Sequence, residues 1–255
     1  MSEVITLAMN GKQVGAAQGE TILAVARRNR IVIPTLCHHD ALPGQGCCRV
    51  CIVEANEGGG DKVVVSCAYP VTRPAEVFTE SDRIVRLRKV ILSMLRDRAP
   101  QGERIKALCR NYKVPDSSRF ARQEGEKCIL CGLCARVCES LGTGAIAAVS
   151  RGITKRVATP YDEPSADCIG CLTCANICPT KAIGFMQEGA RRSIWGKHFA
   201  LIPCEGCGSL FATAEEAAHA RAKAAIGIAD RVLCAQCRRA VIGDVMAKTY
   251  GFLMR

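Results

Sequence analysis

The sequence predicts an α+β chain assembled from small modules, and three observations carry that expectation. Eighteen cysteines in 255 residues is far above ordinary usage, and most fall in pairs and quartets two or three residues apart. Residues 1–80 read as strand, helix, loop and strands, the order of a β-grasp domain. Beyond them an amphipathic helix gives way to a cysteine quartet that occurs twice, then to two CxxC pairs.

Each element follows from local pattern. Val4, Thr6 and Ala8 alternate with Ile5, Leu7 and Met9 up to Asn10-Gly11, the favoured two-residue hairpin turn. Gly19-Glu20-Thr21 introduces Ile22, Leu23, Val25 and Ala26 at helical spacing. Two β-rich runs, Cys51 to Glu54 and Val63 to Cys67, flank the Glu57-Gly58-Gly59-Gly60 turn. Asp82 to Arg98 reads as an amphipathic helix with Ile84, Leu87, Ile91, Met94 and Leu95 on the packing side and arginines opposite. Glu103 to Tyr112 reads as a second helix, and an Ala-rich helix is expected near Thr213 to Ile226.

Closely spaced cysteines on one loop rarely meet disulfide geometry but suit a metal or cluster. Their thiols must stay reduced, so a cytoplasmic location is expected. No stretch approaches the roughly 20 apolar residues of a membrane span, and Met1 to Asn10 lacks the pattern of a secretory signal. The formal charge of +11 would attract an acidic partner or nucleic acid, but aromatics at 4% offer few stacking platforms, which makes nucleic acid unlikely.

Cys128, Cys131, Cys134 and Cys138 are spaced C-x2-C-x2-C-x3-C, and Cys168, Cys171, Cys174 and Cys178 repeat the run with Pro179 after it. This resembles the bacterial two-cluster ferredoxin, in which the fourth cysteine of each run ligates the other cluster. The resemblance implies one 4Fe-4S cluster on Cys128, Cys131, Cys134 and Cys178, and a second on Cys168, Cys171, Cys174 and Cys138. Gly132 and Gly170 would let the backbone approach the clusters closely. Zinc sites use two separated pairs, which argues against zinc here. Glu139 stands where the first run lacks a proline and reads as a solvated helix residue.

Cys37, Cys48, Cys51 and Cys67 form a third quartet in the β-rich segment. Ile33-Pro34-Thr35-Leu36-Cys37-His38-His39, Cys48-Arg49-Val50-Cys51-Ile52-Val53-Glu54 and Ser66-Cys67-Ala68-Tyr69-Pro70-Val71 resemble the 2Fe-2S domain of the complex I 75-kDa subunit and of related hydrogenase and diaphorase chains. The likeness extends through the two-cubane segment and implies a 2Fe-2S cluster on these four cysteines. The family spacing selects Cys48 over Cys47, leaving Cys47 a spare thiol. The family's histidine-ligated 4Fe-4S segment is missing, since residues 83–127 hold no histidine and only Cys109, read as a buried thiol. That leaves the route from the 2Fe-2S site to the cubanes open.

In the tail, Cys204, Cys207, Cys234 and Cys237 make two CxxC pairs around a helix-sized insert. The paired layout and Gly208 favour structural zinc, with a third 4Fe-4S cluster as the alternative. The domain plan is therefore a 2Fe-2S β-grasp domain at 1–80, a helical linker at 81–120, a two-4Fe-4S ferredoxin domain at 121–190 and a zinc-ribbon-like four-cysteine module at 191–255.

No catalytic set is evident. Gly142-Thr143-Gly144-Ala145-Ile146-Ala147 matches a dinucleotide fingerprint in letters but follows a cluster ligand rather than a strand, and His198 and His219 are isolated. A chain with clusters and no chemistry of its own conducts electrons. The resemblance implies a flavoprotein subunit acting on NAD(H) as one partner, and a hydrogenase, formate dehydrogenase or other reductase subunit as another. An independent soluble ferredoxin and a redox-sensing nucleic-acid-binding protein are the alternatives.

Overall fold

The computed structural model describes residues 4–116, 120–223 and 231–250. β1 (Val4–Met9) and β2 (Lys12–Ala17) form an antiparallel hairpin whose turn residues, Asn10 and Gly11, both have positive φ, as a type I′ turn requires. α1 (Ile22–Arg28) starts at Thr21, whose hydroxyl accepts from the Ala24 N–H, and buries Ile22, Leu23, Val25 and Ala26. β3 (Ile52–Asn56), β4 (Asp61–Val65) and β5 (Ala75–Phe78) complete a mixed sheet of order β2-β1-β5-β3-β4, in which β1 and β5 run parallel. The apolar faces of sheet and helix close on Leu7, Met9, Leu23, Val53 and Val77, the β-grasp core.

α2 (Asp82–Arg98) is capped by Ser81, whose hydroxyl accepts from the Ile84 N–H, and α3 (Glu103–Asn111) packs against it. The buried face of α2 differs from the one its hydropathy marks. Ile84, Arg88, Leu92 and Arg96 point inward, whereas Leu87 and Met94 are 39% and 50% exposed. Arginines can occupy the inner face here because backbone carbonyls meet their guanidinium groups, as with Arg88 below and with Arg96, which donates to the Pro115 carbonyl at 2.7 Å. The core beneath α2 joins Leu36, Cys37, Cys48 and Val50 to Ile105, Ile129, Cys131 and Leu133, so it runs from the first module into the second.

α4 (Leu133–Ser140) and α5 (Thr173–Ile177) pack together, each directly after a cysteine loop, with the short hairpin β6 (Ala147–Val149) and β7 (Arg156–Ala158) between them in sequence. An antiparallel sheet follows, β8 (Phe185–Glu188), β9 (Arg191–Ile194), β10 (Lys197–Pro203) and β11 (Leu210–Thr213), in the order β11-β10-β9-β8. Its Ile194 and Phe199 share a core with Cys134, Cys168, Leu172 and Cys174. α6 (Ala214–Lys223) falls within the expected Ala-rich helix, whose last residues lie outside the described ones, and α7 (Ala235–Tyr250) ends the described chain. Among the described residues no helix is long and apolar enough to cross a membrane.

Candidate cluster and metal centres

Cys37 sits in the loop after α1, Cys48 and Cys51 precede β3, and Cys67 follows β4; all four are buried. The Cys48 N–H donates to Cys37 Sγ at 3.4 Å, and Ser66 ties the two ends together, its hydroxyl donating to the Cys51 carbonyl at 2.7 Å. The thiols of Cys47, Cys48 and Cys67 face Cys37 and pull its pKa below the ordinary thiol range, while Cys37 raises that of Cys67 in return. So crowded a set cannot ionise throughout without a cation among the sulfurs. Gly44 lies so close that a Cβ would meet the Cys67 carbonyl oxygen at 2.0 Å, which excludes any side chain there.

From α2, Arg88 locks this loop from behind. Its Nε donates to the Val50 carbonyl at 2.9 Å, and a terminal nitrogen donates to the Ile52 carbonyl at 2.8 Å, straddling Cys51. Its other terminal nitrogen pairs with Glu80 at 2.6 Å and Tyr112 at 2.9 Å.

In the duplicated segment, Cys128, Cys131, Cys134 and Cys178 line one cavity, and Cys138, Cys168, Cys171 and Cys174 line a second. The fourth cysteine of each run thus reaches the other run's cavity. Both loops use the same backbone device, left-handed conformations at Leu130 and Gly132 in one and at Gly170 and Leu172 in the other. Several donors meet sulfur, including the Leu130 N–H on Cys128 at 3.3 Å, the Ala182 N–H on Cys178 at 3.3 Å and the Trp195 indole N–H on Cys174 at 3.5 Å. Burial pushes the thiols of Cys131 and Cys174 up to about 11 and of Cys134 up to about 12. Metal must therefore displace protons to bind. Arg98 lines the first cavity, and its buried Nε has no hydrogen-bond partner among the described residues. Eight thiols, amide donors on sulfur and an orphan cationic N–H fit anionic iron-sulfur centres.

The two cysteine regions meet. Cys47 is exposed, and its thiol donates to the Cys131 carbonyl at 3.4 Å; Arg136 on α4 donates to the Pro43 carbonyl and to Gln45 Oε1. Cys109 is buried against the Leu92 carbonyl, and burial raises its pKa. Glu139 is exposed on α4, and His38 pairs with Asp40 at 3.1 Å. Gly142 to Ala145 form a turn and loop leading to β6, and His219 Nε2 lies 2.8 Å from the Leu141 carbonyl beside it.

The tail quartet has a different geometry. The sulfurs of Cys204, Cys207, Cys234 and Cys237 all lie within 4.8 Å of one another, and those of Cys207 and Cys234 are 3.8 Å apart. Zinc–sulfur bonds of about 2.3 Å hold tetrahedral sulfurs about 3.8 Å apart. A cubane binds each thiolate at a separate iron and needs a wider set. The Cys234 N–H donates to Cys204 Sγ at 3.2 Å and is the main cause that lowers this thiol to about 6.

Comparison with known proteins agrees with this geometry. Residues 2–82 match the 2Fe-2S iron-sulfur cluster binding domain, and residues 127–182 match the 4Fe-4S dicluster domain. The chain thus carries a 2Fe-2S cluster binding domain followed by a 4Fe-4S dicluster domain. Over 211 residues it is 31% identical to the NADP-reducing hydrogenase subunit HndD of Solidesulfovibrio fructosivorans, covering 71% of this chain and 36% of that one. It is 32% identical over 96 residues to the mitochondrial NADH-ubiquinone oxidoreductase 78 kDa subunit of Candida albicans, covering 38% of this chain and 13% of that one. The iron-sulfur chain thus spans about a third of these relatives' length or less. A chain in the crystal structure of an NAD+-reducing [NiFe]-hydrogenase in the H2-reduced state superposes with a TM-score of 0.61 at 27% identity, over 70% of this chain and 86% of that one.

Sequence reasoning singled out every cysteine of these sites but missed Arg88 and Trp195. Nothing in the hydropathy of α2 marks Arg88. Trp195 carried one unread signal, being the chain's only tryptophan, two residues before a lysine-led strand.

Proposed function

We propose that this chain is an electron-transfer subunit of a multisubunit oxidoreductase. The observation that carries the reading is the reciprocal sharing of two cavities by two cysteine runs, joined by a direct contact to a third cysteine site. Cys37, Cys48, Cys51 and Cys67 hold a 2Fe-2S cluster in this reading. Cys128, Cys131, Cys134 and Cys178 hold one 4Fe-4S cluster, and Cys168, Cys171, Cys174 and Cys138 the other. Bound there, the clusters supply one-electron carriage.

The chain's own residues supply burial, amide donors on sulfur and spacing. The loop from Pro43 to Cys48 touches Cys131 and Arg136 of α4, so the first cysteine site adjoins the duplicated segment without a histidine-ligated segment between them. Cys204, Cys207, Cys234 and Cys237 hold one zinc ion, a reading supported by their close sulfur spacing. The partners are a flavoprotein subunit reacting with NAD(H) and a hydrogenase, formate dehydrogenase or other reductase subunit.

The test is Cys48→Ser in the intact complex. It should stop electron flow to the terminal acceptor while flavin-dependent NADH dye reduction continues; joint loss of both activities overturns the assignment. Anaerobically prepared chain should contain about ten iron and one zinc. About fourteen iron without zinc would place a third cubane in the tail.

A further inference from the structure

Trp195 stands at an unusual point in the fold. It lines both cubane cavities, and its indole N–H reaches Cys174 Sγ at 3.5 Å. It belongs neither to the cysteine runs nor to the matched dicluster segment, which ends at residue 182. It arrives from the β9–β10 hairpin, where Ile194 pairs with Lys197 across a two-residue loop of Trp195 and Gly196.

Both loop residues have positive φ, 53° at Trp195 and 72° at Gly196. The first position of such a turn normally takes asparagine, aspartate or glycine, because a bulky side chain is disfavoured in left-handed backbone. A core-filling aromatic would sit as well on a neighbouring strand, without that strain. The hairpin is also held firmly in place. Lys197 Nζ donates to the Cys168 carbonyl at 2.7 Å, and Arg192 donates to the Gly170 carbonyl at 2.8 Å. Both anchors grip the second cubane loop, fixing the indole relative to Cys174.

We propose that Trp195 is the residue through which the tail sheet tunes the electron relay, its indole N–H stabilising the reduced second cubane and its ring filling the space between the two clusters. The inference rests on the cluster assignment above. An electron entering the second cluster adds one negative charge, and a donor on a ligating sulfur stabilises the charged form more than the oxidised one. That bond raises the reduction potential. The ring keeps water from the span between the cavities, which preserves a low dielectric there.

Trp195→Phe keeps the ring and removes the donor. In a redox titration of the iron-loaded full chain followed by paramagnetic resonance, one cubane midpoint should fall, by about tenfold in its reduction equilibrium, which is about 59 mV for one electron. The 2Fe-2S midpoint should stay in place. Unchanged cubane midpoints at full iron content overturn the inference and leave the cluster assignment standing.

The wild-type chain provides an independent measurement, since Trp195 is its only tryptophan. Its emission should be largely quenched when iron and sulfide are loaded and should return on chelation. Persistent emission from loaded protein overturns the placement of the indole between the clusters, whatever the variant does. Failure of the wild-type chain to take up iron and sulfide defeats the cluster assignment itself.

Discussion

Arg88 carries a full charge with none of its surface exposed, and it is tolerated only because every face of its guanidinium meets an acceptor. Arg88→Met keeps a flexible unbranched stem but is shorter and has no donors, so it strands the carbonyls of Val50, Ile52 and Thr79 and takes the cation away from Glu80. Removing one side of such a buried arrangement costs about 3–5 kcal/mol. Denaturant unfolding should show that loss, accompanied by loss of 2Fe-2S absorbance, because Val50 and Ile52 flank the proposed ligand Cys51. Arg88 also marks where hydropathy fails as a guide. On α2 it assigns Leu87 and Met94 to the core and arginines to water, yet hydrogen-bonded guanidinium groups displace those apolar side chains from the inner face. Cys109, by contrast, is legible, since a lone cysteine in an apolar helix pattern is an ordinary core residue. Burial raises its pKa, which lowers its thiolate fraction at any given pH. Iodoacetamide should leave Cys109 unmodified in the folded holoprotein and label it after denaturation; mass spectrometry of the adducts decides.

The sheet β8–β11 supports the loop from Cys168 to Cys174 through side-chain hydrogen bonds to its carbonyls rather than through cysteines. Arg192 joins the Gly170 and Phe211 carbonyls, and Thr213 Oγ1 donates to the Ile169 carbonyl at 2.5 Å. Gly170 has φ of +70°, and a Cβ there would meet Phe199 and Thr213 at 2.9 Å. Gly170→Ala should therefore displace the loop from the sheet, at about 1–3 kcal/mol, and remove about four of the ten iron atoms of the proposed loading while the 2Fe-2S spectrum persists. The duplicated quartet and the Asn10-Gly11 hairpin can be read directly, because spacing and turn chemistry are local. The sheet cannot, since Arg191-Arg192 interrupts its alternation and Phe185 and Met186 face solvent. At the tail site, the Cys234 N–H lowers Cys204 to about 6, so its thiolate survives at neutral pH and is lost as pH falls through that value. Protonation competes with metal. Zinc release to a chromophoric chelator should accordingly rise as the pH falls.

At the scale of the whole molecule, the chain's electrostatics depend on its loading. In the proposed loading of three clusters and one zinc ion, each centre with its four thiolates would carry a net charge of about −2, so filling the sites would lower the formal charge from +11 to about +3. Apo and loaded protein should separate on cation exchange, with the loaded form eluting at lower salt. The modules are also joined mechanically. The core containing Cys37 and Cys48 continues into Cys131 and Leu133, and Arg136 fastens α4 to Pro43 and Gln45 across the seam. Sequence spacing leaves this seam invisible, because the residues that meet are some ninety positions apart. In the proposed relay, electron transfer across it depends on the two regions staying in contact. Arg136→Ala removes the fastening and touches no ligand, so iron content and each midpoint should match the wild type. Reduction of the cubanes by a photogenerated donor at the 2Fe-2S site should nevertheless slow. An unchanged rate in the fully loaded variant would mean that the buried core alone holds the seam, and a double variant with Gln45→Ala would then be expected to behave identically.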